Sequence, residues 1–264
     1  VICATVAFAD MFDFPLDVHE VYRDLVAVRA SFEETRLAVA AGIAGGLLAF
    51  DGEYVVLRGR SGLGVERARR TARARRLWPR ARAFGTMIAR FPFVRMVAVS
   101  GSLAAENPDV AADLDYLVVS EPGRLWLVRA LSVALVRLAR RARVHLCPNY
   151  FLTTRALALD HRDLFTAHEL LQAVPVCGAD VYERMLRLNA WAGLWLPHRY
   201  CRELAAPRSS GRGDGIQAVG ELLLGGKVGD RIEAWEGARK RRRLADRGAA
   251  ARFTSDVCEG HYGR

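Results

Sequence analysis

Val97-Ala-Val-Ser-Gly-Ser102, followed ten residues later by Asp113-Leu-Asp-Tyr-Leu-Val-Val119, is the stretch whose reading decides the fold. The first segment is a short apolar run broken by Gly101 and Ser102. The second is rich in β-branched and aromatic residues, which favours a buried strand. Residues 103–112 leave room for a helical turn at their start. Side chains two apart on a strand share a face, so Asp113 and Asp115 are expected to project together while Leu114 points away.

Two adjacent carboxylates repel each other and are costly to bury unpaired; a divalent cation between them removes that cost. Mg²⁺ is usually held by one or two carboxylates plus substrate phosphates instead of a full protein cage. A strand, a Gly-Ser turn and the start of a helix offer backbone N–H groups suited to a phosphate. Gly101 allows close backbone approach and the Ser102 hydroxyl adds a donor. Phosphate grip and metal site thus fall on adjacent elements.

This combination resembles the DNA polymerase β-like nucleotidyltransferase superfamily. Its signature is an apolar strand, Gly-Ser or Gly-Gly, about ten residues, then Asp-x-Asp or Asp-x-Glu in a second apolar strand; here these are Gly101, Ser102, Asp113 and Asp115. The resemblance covers residues 95–120 and extends more loosely to 153. It implies an α+β fold with a mixed-sheet core. The implied activity is Mg²⁺-dependent (or Mn²⁺-dependent) transfer of a nucleoside monophosphate from a nucleoside triphosphate to a hydroxyl acceptor. Gly101 and Ser102 would hold the triphosphate, and Asp113 and Asp115 the metal.

Active members usually carry a third carboxylate on a later strand. The strand expected over residues 144–153 has no Asp or Glu; its polar candidates are His145 and Asn149. Asn149 joins Gly101 and Ser102 as a nucleotide-binding candidate, able to ligate a metal or bind a substrate hydroxyl but not to serve as a base. Glu106, Asp109, Asp160 and Asp163 are the loop and helix-start carboxylates that could replace the missing one, and the sequence selects none of them. His168 and Glu169 are neighbours on a helix, are expected on different faces, and make a poor catalytic pair.

Working outward, residues 1–60 read as a winged helix-turn-helix module. Asp17 is placed to cap a second helix, and Ser31 with Glu34 forms a capping-box signal for a third over residues 31–43. Asp51-Gly52 between apolar runs marks a hairpin, the wing. Glu33 and Glu34 at the start of the third helix argue against sequence-specific DNA reading. Residues 61–90 read as an arginine-rich connecting helix, with Arg69, Arg73, Arg76 and Arg80 at three- and four-residue steps as a possible track for RNA or another polyanionic acceptor. The nucleotidyltransferase-like core is expected over residues 91–178. After the strand 113–119, a helix is expected to run to about 141 with Leu125, Trp126, Leu131, Leu135 and Leu138 as its buried stripe; Arg124 at its start calls for an anionic partner. A C-terminal helical region is expected over 179–264, with a linker at 205–215 and a basic cluster at 239–243.

The chain has 264 residues and a net charge of +10, carried almost wholly by arginine, with Lys227 and Lys240 the only lysines. That charge permits a nucleic-acid partner without requiring one. Five scattered cysteines with no Cys-x-x-Cys pair point to reduced thiols, not a zinc site or disulfide framework. No stretch is long and apolar enough to suggest a membrane span and no signal-peptide pattern is seen, so a cytoplasmic protein is expected. Two other readings compete with the enzyme: a catalytically silent nucleotide-binding or regulatory protein of the same fold, and a winged-helix nucleic-acid-binding protein.

Overall fold

The structure is a computed structural model that describes residues 2–206, 215–244 and 252–259. Its N-terminal part is fixed by two capping boxes. Helix α1 (Ile2–Asp10) leads to α2 (Val18–Arg23), where the Asp17 carboxylate accepts from the Glu20 N–H and the Glu20 carboxylate accepts from the Asp17 N–H. Ser31 and Glu34 cap α3 (Phe32–Ala44) in the same reciprocal way. The hairpin β1 (Leu48–Asp51) and β2 (Tyr54–Leu57) follows, and Val6, Leu16, Val21, Leu25, Val39, Leu48 and Val55 close a separate small core beneath it.

A 27-residue helix, α4 (Leu63–Ala89), then carries the chain to the main sheet. Strand β3 (Val94–Val99), the four-residue helix α5 (Gly101–Ala104), and β4 (Leu114–Ser120) come next, then α6 (Leu125–Arg141) and β5 (Leu146–Thr153). They are followed by α7 (Leu164–Gln172), β6 (Val174–Cys177), α8 (Ala179–Leu188), α9 (Ala192–Trp195) and α10 (Pro197–Ala205). The described C-terminal elements are α11 (Gly215–Leu224), α12 (Lys227–Leu244), β7 (Arg252–Phe253) and β8 (Val257–Glu259).

The fold class is α+β. The main sheet is mixed, in the order β6-β3-β4-β5-β8-β7; β3 runs antiparallel to β4 and to β6, and β4 runs parallel to β5. Alternation along the central strands builds the two layers. Val97, Val99, Tyr116 and Val118 face a core made with α4 and α6, whereas Met96, Ala98, Leu117 and Val119 face a core made with α7 and α8. Asp115 has the parity of Leu117 and Val119 and therefore belongs to the α7 side. Both faces of the sheet are covered, so β4 reads as a nearly continuous apolar run.

Several expectations are corrected. Between α7 and α8, β6 joins the sheet as an edge strand on β3, an element the sequence reading does not anticipate. The C-terminal part is not all helical, because β8 adds to β5 and carries β7. Leu138 is 58% exposed and lies outside the buried stripe of α6, which includes Val128, Ser132 and Ala139 instead. Arg124 does have its anion, Asp230 Oδ1 at 2.7 Å. Asn189 is fully buried as a core polar group: its amide donates to the Leu157 and Met185 carbonyls, and its oxygen accepts from the Leu159 N–H. Residues 207–214, most of the expected linker, lie outside the described residues. Among the described residues no helix is long and apolar enough to cross a membrane.

Candidate functional site

The end of β3 and the body of β4 meet at one corner. The Ser100 N–H donates to the Asp115 carbonyl at 3.1 Å, and the chain turns at Gly101 with φ +63°. A Cβ built on Gly101 would lie 3.0 Å from Asp115 Cγ and nearer still to Oδ2. Glycine is therefore required twice, for a left-handed backbone and for space beside the carboxylate. Asp115 stands directly against the Gly-Ser turn.

Asp113 precedes β4 instead of lying within it, a correction to the strand register expected for it. It still shares a cleft of about 540 Å³ with Asp115, Ser102, Asn107, Asp109 and Arg70. Asp113 Oδ1 is 4.0 Å from His145 Nδ1, and the imidazole is largely exposed. On the other side, Asn149 Nδ2 donates to Asp115 Oδ1 at 3.1 Å. The pairing of β4 with β5 explains that reach. Tyr116 opposes Pro148 and Leu117 opposes Tyr150, so Asn149 is the extra residue of a bulge. The bulge puts Asn149 and Tyr150 on the wall of one cavity, the role bulges often take beside functional sites.

The four carboxylates proposed as replacements for a third acid separate. Asp109 lines the cleft with Asp113 and Asp115, and its carboxylate accepts from the Ala111 N–H at 2.9 Å. Asp163 caps α7 through the Thr166 N–H at 2.7 Å. Glu106 lies 4.0 Å from Arg67. Asp160 lines neither the cleft nor the neighbouring cavity. Among the described residues no group of three or more His, Cys, Asp or Glu is placed to hold a metal ion. Asp113 and Asp115 nonetheless form an oxygen-only donor set of the kind that suits a hard cation when phosphates and water complete the shell.

Sequence reasoning missed two residues. The first is Glu169 of α7, which lines the cavity holding Gly101, Asp115 and Asn149, and also a second cavity, toward α1, that reaches Gly101 and Ser102. Burial, reinforced by the Asp115 charge, pushes its carboxyl up to about 7. The available signal was a lone carboxylate within the apolar run Leu164-Phe-Thr-Ala-His-Glu-Leu-Leu171. His168, expected on another face, lines that second cavity as well, because adjacent helix positions are only about 100° apart.

The second is Arg70. Sequence reasoning left it within the arginine-rich helix, but it lies at the cleft mouth, donating to Asn107 Oδ1 at 2.8 Å and to the Phe12 and Asp13 carbonyls. Arg73 donates to the Pro108 carbonyl at 2.7 Å, so these two arginines clamp the 105–109 loop over the cleft. Arg69, Arg76 and Arg80 remain exposed on α4.

No protein-family model, curated protein or solved structure matches this chain.

Proposed function

We propose that the chain is a Mg²⁺- or Mn²⁺-dependent nucleotidyltransferase whose core stands behind an N-terminal module of winged-helix type. The observation that carries this reading is the Gly101 backbone pressed against the Asp115 carboxylate, with Asp113 and Ser102 in the same cleft. Three helices followed by a hairpin with its own small core support the winged-helix part.

In this reading Gly101 and Ser102 hold the triphosphate, and Arg70 at the cleft mouth balances its charge. Asp113 and Asp115 hold the ion, which when bound supplies positive charge to the phosphate oxygens. The acceptor hydroxyl oxygen bonds to the α-phosphorus, the bond from that phosphorus to the α,β-bridging oxygen breaks, and pyrophosphate leaves. Glu169 takes the hydroxyl proton. Among the described residues, it is the one carboxylate outside the signature that lines both cavities that meet at Gly101, and a carboxyl with a pKa near 7 is suited to accept a proton at neutral pH. Exposed Arg69, Arg76 and Arg80 fit RNA or another polyanion as acceptor.

The test is incubation with labelled nucleoside triphosphates and Mg²⁺ or Mn²⁺. Transfer or pyrophosphate release that Asp113→Ala or Asp115→Ala abolishes supports the enzyme. A second reading, a silent nucleotide-binding protein, is favoured by the lack of a three-carboxylate group among the described residues; it expects metal-dependent binding with no turnover. A winged-helix nucleic-acid binder is disfavoured, since the Arg36 guanidinium on α3 is held by Glu33 at 2.6 and 2.9 Å.

A further inference from the structure

The second cavity, between α1 and α7, shares Gly101, Ser102 and Glu169 with the proposed transfer site, but its α1 wall has no part in phosphoryl transfer. It encloses about 270 Å³ and ends at Gly101 and Ser102. Ligand pockets start near roughly 300 Å³, so this is room for one fused ring system. An aromatic file forms its wall. Phe165 and Phe12 have ring centroids 6.3 Å apart, Phe12 meets Phe8 edge-on at 5.5 Å, and Phe8 stacks on the His168 imidazole at 4.5 Å. Phe12 and Phe165 are 42% and 43% exposed, so large apolar faces are left open to solvent at the entrance.

The wall also holds an unanswered polar group. His168 is 8% exposed, and its Nε2 has no hydrogen-bond partner. The Gln172 side-chain nitrogen lies 3.3 Å from Nδ1; an amide nitrogen can only donate, so Nδ1 accepts and Nε2 carries the proton. Burial lowers the imidazole pKa to about 4, which keeps the ring neutral. A buried N–H without an acceptor costs free energy that an acceptor on a bound molecule would recover. Of the two carboxylates in this wall, Asp24 is already answered by Arg23 and Arg199, and Glu169 lies at the Gly101 end, beside Asp115.

We propose that this cavity binds an uncharged planar heteroaromatic ring with a hydrogen-bond acceptor on its edge, entering past Phe12 and Phe165 and accepting from His168 Nε2–H. The ring belongs either to the base of the nucleoside triphosphate or to an aromatic acceptor molecule; each would set its reacting end at Gly101 and Ser102. That attribution rests on the nucleotidyltransferase reading, whereas the ring site does not.

The full chain is titrated calorimetrically at pH 7.5 with benzimidazole and with indole, fused rings that differ in one acceptor nitrogen. Benzimidazole is expected to bind about fivefold more tightly, the worth of one hydrogen bond. His168→Phe keeps the stack on Phe8 and is expected to bring the ratio to about one. Phe12→Ala combined with Phe165→Ala, at exposed positions that leave the fold intact, weakens both probes at least fivefold, by roughly the worth of two aromatic contacts. A nucleoside triphosphate with Mg²⁺ that displaces benzimidazole identifies the ring as the base; triphosphate binding without displacement identifies it as the acceptor. No binding of either probe at millimolar concentration, or a ratio that His168→Phe leaves unchanged, overturns the site. Ring binding without pyrophosphate release removes the transferase reading alone, and turnover without ring binding removes the ring site alone.

Discussion

Asn149 donates to Asp115 Oδ1 at 3.1 Å from a β-bulge in β5. An amide there can steady Asp115 without repelling it. Asn149→Asp would replace that donor with a second charge. Without metal, the variant is expected to lose about 2 kcal/mol, a fall in Tm of about 4–8 °C. With millimolar Mn²⁺ it should recover most of this loss and show a larger metal-induced Tm rise than the parent chain. Thermal melts in EDTA and in Mn²⁺ check it; a variant indifferent to metal would count against an ion at Asp115.

Gly101→Ala tests the corner itself. The substitution forces a left-handed alanine, costing on the order of 1–2 kcal/mol, and drives its methyl into Asp115. Stability by urea unfolding should fall by about 1–3 kcal/mol. Nucleotide binding should fall with it, because the carboxylate must move. Gly52→Ala, at a positive-φ glycine with no neighbour within 4 Å, serves as the strain-only control.

The legible part of this molecule was the part whose local chemistry agrees with its tertiary setting. Asp17, Ser31 and Glu34 announced two helices because capping is settled within four residues. The β3–turn–β4 unit was legible for the same reason, since its apolar runs are buried on both faces. Strand β6 was not. It is four residues long and contains Pro175, which removes a ladder donor and is tolerated because β6 is the sheet edge. Strand β8 is three residues long, too short to show a period. Glu169 was illegible as a site residue because its neighbours in sequence are apolar and its partner Asp115 is supplied by a distant strand. Arg70 was hidden among equivalent arginines; only the position of the 105–109 loop distinguishes it.

Glu169 and His168 should oppose each other in their effect on acid stability. The Glu169 carboxyl is raised from its ordinary 4.5 to about 7, so its contribution is full below 4.5 and is lost as pH rises through 7. The His168 imidazole is lowered from 6.5 to about 4, so its contribution is full above 6.5 and is lost as pH falls toward 4. Each amounts to on the order of 3 kcal/mol, and between pH 4.5 and 6.5 their pH dependences nearly cancel. Glu169→Gln is therefore expected to match the parent near pH 5 and to exceed its stability by about 2 kcal/mol at pH 8. Urea unfolding at the two pH values checks this. Lower stability of the variant at pH 8 would mean that the carboxylate is ionised and paired.

The Asp24–Arg199 pair ties the N-terminal part to α10, and its removal should be the most damaging single change outside the sheet. Arg199 Nε lies 2.6 Å from Asp24 Oδ1, outside hydrogen-bond alignment, while its Nη2 donates to Oδ2 at 3.3 Å; Arg23 adds a second guanidinium at 2.8 Å. Both Arg199 and Asp24 are more than nine-tenths buried. Burial alone would raise the Asp24 carboxyl, but Arg199 and Arg23 outweigh it and hold the group below its ordinary value. Asp24→Ala leaves two guanidiniums facing each other in a dry site, which costs about 3–5 kcal/mol. Asp24→Asn should cost nearly as much, since it keeps the shape and loses the charge. Replacing Asp24 and Arg199 together by Leu and Met should recover much of the loss, because the penalty comes from the stranded charge and not from missing contact. A double-mutant cycle by urea unfolding measures the coupling, and additive losses would show that the pair is not what joins α2 to α10.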